Sequence, residues 1–135
     1  MALQFSVAVR NARLDAVEVT AGTSAIIKIR TGAAPANCGT ADSGSVLSTV
    51  NLPSDWMAAA SGGSKAKSGT WEDLSADAAG TAAHFSLYAS DGTTCHAQGT
   101  VTATGGGGDM QVDNVVFAAA QAFTITAFTL TDGNA

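Results

Sequence analysis

Between Asp91 and Asp109 the chain reads Asp-Gly-Thr-Thr-Cys-His-Ala-Gln-Gly-Thr-Val-Thr-Ala-Thr-Gly-Gly-Gly-Gly-Asp. A thiol beside an imidazole, Cys95 and His96, is the composition of a nucleophile with its base, and four consecutive glycines, Gly105 to Gly108, are the composition of a phosphate cradle. Both chemistries fail on placement. Thr94 to Thr104 alternates threonine with small apolar residues and reads as a strand, where successive side chains point to opposite faces, so Cys95 and His96 cannot meet. A phosphate loop needs a lysine after its last glycine and a helix starting there, but Gly108 is followed by Asp109, Met110 and Gln111. The glycines are expected to be a permissive loop joining two strands, ordered, if at all, only against a partner.

Other constellations are thinner. Two histidines, His84 and His96, and two cysteines, Cys38 and Cys95, lack the close pair spacing of a zinc site; no metal and no cofactor is expected. Cys38 and Cys95 are 57 positions apart, and a disulfide between them is allowed in principle, although a protein made in a reducing compartment keeps its thiols free. Asp91, Asp109 and Asp113 could gather to hold calcium, but their spacing favours turn-forming aspartate. With no serine on a strand-to-helix elbow either, the chain is not expected to be an enzyme and no catalytic residue is assigned.

The elements that position these residues are mostly strands. Residues 6–20 place Val7, Arg10, Leu14 and Val17 near one helical face and Asn11, Asp15 and Glu18 on another, with Gly22 as the stop. Strands are expected over 24–30 and 46–52, separated by a loop over 33–44. Strand signals fade from 54 to 81; Pro53-Ser54-Asp55 suggests one helical turn, residues 61–65 a flexible tip, and Trp71 the start of another strand. Residues 83–89 and 94–104, joined at Asp91-Gly92, form a hairpin, and strands follow over 110–119 and 122–131. The fold class is all-β, a β-sandwich or jelly roll with one short N-terminal helix: residues 1–22 are an arm and helix, 23–135 the sandwich domain.

Composition sets further bounds. The chain has 135 residues, 46% hydrophobic and only 13% charged, with a net charge of −5. No apolar run approaches the roughly 18 to 20 residues of a membrane span, and no basic n-region with a long apolar core marks a secretory signal, so synthesis is expected in the cytoplasm. All six cations (Arg10, Arg13, Lys28, Arg30, Lys65, Lys67) lie in the first 67 residues with four acids, whereas the last 68 carry seven acids and neither lysine nor arginine. Scattered cations on an acidic protein disfavour nucleic acid. The asymmetry fits either two faces of opposite sign or an unremarkable polar surface. Trp56 and Trp71 flank the 61–65 stretch and either present an interface, including one that stacks on sugars, or close the end of the core.

Residues 10–18, Arg-Asn-Ala-Arg-Leu-Asp-Ala-Val-Glu, with Gly22, then Ile27-Lys28-Ile29-Arg30-Thr31-Gly32 and Pro35, resemble the opening of a group of small tailed-phage structural proteins. Leu52-Pro53-Ser54-Asp55, Ser90-Asp91-Gly92-Thr93 and Phe128-Thr129-Leu130-Thr131 agree with that resemblance, which is similar in turn to capsid cement or decoration proteins. It implies a virion location on the capsid exterior after synthesis in the host cytoplasm. The implied partner is the major capsid protein, bound by a dimer or trimer of this chain, with neither membrane nor nucleic acid involved. The candidate interface comprises Leu3 and Phe5 of the arm, Arg10 and Arg13 of the helix, and Trp56, Met57 and Trp71. A tail or baseplate component, or a host-surface or carbohydrate-binding module, are the alternatives.

Overall fold

The computed structural model describes residues 2–134. Helix α1 (Val7–Ala21) begins where the Ser6 hydroxyl accepts from the Val9 N–H and ends at Gly22, whose N–H returns to the Glu18 carbonyl at a φ of 89°. The strands that follow are β1 (Ile26–Arg30), β2 (Val46–Asn51), β3 (Ser64–Ala66), β4 (Glu72–Asp73), β5 (Gly80–Thr81), β6 (His84–Tyr88), β7 (Cys95–Ala103), β8 (Met110–Val112), β9 (Val116–Phe117) and β10 (Phe123–Thr131). The chain is therefore mostly β with one short helix among the described residues.

Eight strands join in the order β2-β1-β6-β7-β8-β10-β3, with β4 also paired to β10, and β5 and β9 form a separate ribbon. The path returns toward its start, because Ser48 of β2 donates to the Asp73 carboxylate of β4. Inside lie Ile27, Ile29, Val50, Trp56, Trp71, Phe85, Leu87, Met110, Ile125 and Phe128, all buried. Trp56, Trp71, Phe128 and Phe85 run as a chain of rings with centroids 5.9, 5.4 and 5.6 Å apart, the last pair edge to face.

The expected hairpin is β6 against β7, antiparallel from His84↔Thr100 to Tyr88↔Cys95. Three bulges alter what simple alternation predicts. Within the hairpin the ladder passes from Leu87↔Ala97 to Tyr88↔Cys95, so His96 is an extra residue. Opposite β1, Ile29 pairs with Ser48 and Arg30 with Val46, so Leu47 is an extra residue and both Leu47 and Ser48 turn inward. In β10 the ladder skips from Ile125 to Ala127, which reverses the phase and brings Phe128 to the core beside Phe123 and Ile125. The strand expected over 110–119 is broken into β8 and β9. Pro53-Ser54-Asp55 makes a bend rather than a helical turn, and the strand expected from Trp71 begins at Glu72.

The 61–65 stretch is not a loose tip. Ser61 and Ser64 exchange both backbone hydrogen bonds around Gly62 and Gly63, whose φ values of 62° and 79° suit a tight two-residue turn. The helix holds this turn with its polar row: Asn11 Oδ1 accepts from Gly63 N, Asp15 Oδ1 from Ala60 N, and Glu18 Oε1 from Met57 N. These acceptors bring the polar row against the scaffold alongside the expected apolar face. Leu14 is buried and Val17 packs on the core, but Val7 is exposed, because backbone donors in 57–63 are satisfied by the helix's carboxylates and amide.

Candidate functional site

Exposed apolar side chains recur along the N-terminal arm, with Val19, Leu74 and Val116 exposed elsewhere. Leu3 is 76% exposed and Phe5 40%, and Val7 and Val9 on the first turn of α1 are also exposed. At the base of the arm Phe5 N donates to Asn134 Oδ1 and the Arg13 guanidinium lies 5.1 Å from the Phe5 ring centre. Arg13 Nε meets Asp132 Oδ2 at 3.1 Å and Arg10 Nη1 donates to the Asp132 carbonyl, so both cations are spent on joining the two ends of the chain. Of the candidate interface residues, the structure brings Phe5 to Arg13, joins Arg13 and Arg10 to Asp132, and leaves Leu3 exposed. Trp56, Met57 and Trp71 are buried instead and present nothing to a partner or a sugar. Each indole is satisfied inside, Trp56 Nε1 by the Gly22 carbonyl and Trp71 Nε1 by that of Ser68, both at 3.0 Å. That is the physical reason large aromatics beside a turn stay in the core here.

Beside the helix, an open groove of about 610 Å³ is lined by Asp15, Glu18, Val19, Asp55, Ala58 and Lys65. Lys65 forms its floor with its side chain only 2% exposed, bonded to Asp15 Oδ1 at 2.7 Å, Glu18 Oε2 at 2.9 Å and the Ala58 carbonyl at 2.9 Å. Burial works against its charge, yet the hydrogen bonds it donates to Asp15 and Glu18 outweigh that and hold its pKa above the ordinary lysine value. The same ammonium holds the Asp15 carboxyl below the usual aspartate range.

A second polar centre was not legible in the sequence. The 33–44 loop crosses the outer face of β6, so that His84, Ser86 and Tyr88 are as buried as Phe85 and Leu87 on the core side. Asp42 fastens the crossing: its carboxylate accepts from Ser86 Oγ at 2.9 Å and from Tyr88 Oη, and lies 3.6 Å from Arg30 Nη2. Burial opposes ionisation of Asp42, but the Tyr88 and Ser86 hydroxyls and the Arg30 charge prevail and lower its pKa, while burial and the same hydrogen bond raise that of Tyr88. Alongside lies a cavity of about 310 Å³ lined by Cys38, Asp42, Tyr88, Cys95 and Gln98.

Cys95 and His96 line different cavities: Cys95 faces Cys38, whereas His96 faces Arg13, Ala16, Val17 and Thr20 of the helix. Burial and the neighbouring Cys38 push the Cys95 thiol up to about 12, so it stays protonated at neutral pH. Both cysteines are free thiols. His84 is buried with Nδ1–H donating to the Gly32 carbonyl at 2.8 Å. Among the described residues no three metal-ligating side chains gather. Asp91 caps its own turn through Thr93 N, Thr94 N and the Thr94 hydroxyl; Asp109 accepts from Thr100 N and Oγ1, and Asp113 from Thr124 N.

The glycine run packs against its own chain. β7 and β8 are parallel neighbours, Val101↔Met110 to Ala103↔Val112, joined by residues 104–109 alone. To double back so quickly, the backbone passes directly over Thr102, whose hydroxyl accepts from Gly108 N. A Cβ on Gly106 or Gly108 would sit 2.8 Å from Thr102 side-chain atoms. No such approach serves a phosphate, and the run is ordered by Thr102 rather than by a partner.

Together these features define a mostly β scaffold with exposed apolar side chains on an arm that bonds to Asn134. No family model, no curated protein and no solved structure matches the chain.

Proposed function

We propose that this chain is a tailed-phage virion component, a capsid cement or decoration protein that binds the shell exterior and stabilises contacts between capsid subunits without chemistry. The observation that carries the reading is the arm: Leu3, Phe5, Val7 and Val9 leave apolar surface in water beside the point where Phe5 is bonded to Asn134. Burial of that surface on the major capsid protein stabilises the assembled state by mass action, and many copies multiply a modest interface. The phage-like residues of the opening, Arg10 to Glu18, support the same reading by resemblance, and a jelly-roll arrangement of the wrapped sheet and a dimeric or trimeric state on the shell belong to it. The acidic second half then faces a complementary patch.

Particles stripped of this protein are expected to lose heat resistance and to regain it when the protein is added back. Unchanged resistance overturns cementing, and a density map that places the protein on the tail or baseplate assigns it there instead. The carbohydrate-binding alternative has lost its stacking surface, since Trp56 and Trp71 lie in the core.

A further inference from the structure

The cavity beneath the 33–44 crossing holds the chain's two cysteines, 57 positions apart in sequence, on one wall each. Cys95 opens β7, paired with Tyr88, and its Sγ–H points to the Ala97 carbonyl. Cys38 lies in a turn organised by Asn37, whose side chain accepts from Gly39 N and Thr40 Oγ1. Cys38 is near enough to Cys95 to oppose ionisation of its thiol. Both are partly exposed, so a small reagent can reach them.

The crossing has two anchors, and Cys38 lies between them. Gln98 Nε2 donates to the Pro35 carbonyl on one side, and Asp42 holds Ser86 and Tyr88 on the other. The hydrogen bonds of the intervening turn around Asn37 stay within that turn. It therefore has freedom to bring Cys38 to the separation a disulfide demands, whereas Cys95 is fixed by the β6 ladder.

We propose that Cys38 and Cys95 are a redox-modification site: a small-molecule disulfide of the oxidised-glutathione class converts them into an intramolecular bond that fastens the crossing to β7. In the first step the Cys38 thiolate attacks one sulfur of the reagent, forming a mixed disulfide and expelling one glutathione thiolate. In the second, the Cys95 thiolate attacks the Cys38 sulfur, forming the protein disulfide and expelling the second glutathione thiolate. Two protein thiols are oxidised and one reagent disulfide is reduced to two thiols, so protons and electrons balance. Burial, which disfavours the Cys95 thiolate, makes the second step slow at neutral pH and faster under alkaline conditions. The site does not depend on the proposed virion role. It would let a chain folded with free thiols become cross-linked after reaching an oxidising medium.

The test is incubation of the full chain with oxidised glutathione at mildly alkaline pH, followed by non-reducing peptide mass mapping, sizing and thermal unfolding. The expected product is a monomer-derived Cys38–Cys95 linked peptide, lighter by two hydrogen atoms, with an unfolding midpoint raised by about 10 °C and returned by dithiothreitol. Cys38→Ser and Cys95→Ser, each checked for a native circular dichroism spectrum, are expected to lose that shift. The proposal is overturned if both thiols still alkylate fully, if the product is a stable glutathione adduct or a disulfide-linked dimer, or if either variant keeps the shift.

Discussion

Lys65 shows how much a single side chain organises here. It is almost wholly buried, yet its three ammonium hydrogens meet Asp15, Glu18 and the Ala58 carbonyl, and the two acids also hold backbone donors of Ala60 and Met57. Lys65→Met removes the charge that lets these carboxylates stand together and is expected to cost about 2 to 4 kcal/mol in denaturant unfolding. Lys67, two residues on, touches only the Gly69 carbonyl and the Trp71 ring from the surface, so Lys67→Met should cost no more than about 1 kcal/mol. Equal losses for the two would contradict the network. Nothing in the sequence distinguished these lysines, because both flank the same small residues; only the fold decides which one is enclosed by the helix.

At the level of elements, close backbone approach replaces side-chain chemistry. The 104–109 connection joins parallel strands in a few residues, where parallel neighbours ordinarily need a crossover of a dozen or more. It succeeds because Gly106 and Gly108 let the chain lie on Thr102. Gly106→Ala and Gly108→Ala are each expected to cost about 1 to 3 kcal/mol by overpacking, while Gly133→Ala, with open space around it, should change stability by less than about 0.5 kcal/mol. A thermal or denaturant series of the three variants checks this. The same level explains what sequence reading could reach. The helix, β1, β2, the β6–β7 hairpin and β10 were legible, since hydrophobic spacing and the Asp91-Gly92 turn are local signals. Three bulges were not: Leu47, His96 and Thr126 are extra residues, and alternation carries no mark of an inserted residue. The outer face of β6 was also hidden, because Ser86 and Tyr88 look solvent-facing until Asp42 arrives from a loop 44 positions away from Ser86. Leu3 and Phe5 are exposed, whereas Trp56 and Trp71 close the core, the alternative the sequence left open because their burial depends on carbonyls at Gly22 and Ser68.

For the whole molecule, these networks combine into one pH profile. Asp15, Asp42, Asp91 and Asp109 all have pKa values below the ordinary 3.8: Asp15 through the Lys65 hydrogen bond, Asp42 through Tyr88 and Ser86 despite burial, Asp91 through the Thr94 hydroxyl, Asp109 through Thr100 N–H. Their stabilisation is complete above 3.8 and drains as pH falls toward the folded values, since the unfolded chain takes up protons that the folded chain refuses. On the alkaline side the shifts are upward. Lys65 and Tyr88 keep their protons past 10.5 and 10.0, and Cys95 keeps its proton from 9.0 to about 12, so unfolding releases protons there and stability falls as pH rises. The unfolding midpoint of the reduced protein is therefore expected to be flat from about pH 5 to 8.5, to decline below that plateau and to decline again above it. Cys95 is the group that starts the alkaline limb. Replacing it with alanine should delay the decline until tyrosine and lysine titrate near pH 10, leaving the acid limb in place. Thermal scans of the reduced parent and Cys95→Ala across pH 3 to 11 measure both limbs, and coincident alkaline limbs would show that Cys95 does not hold its proton in the fold.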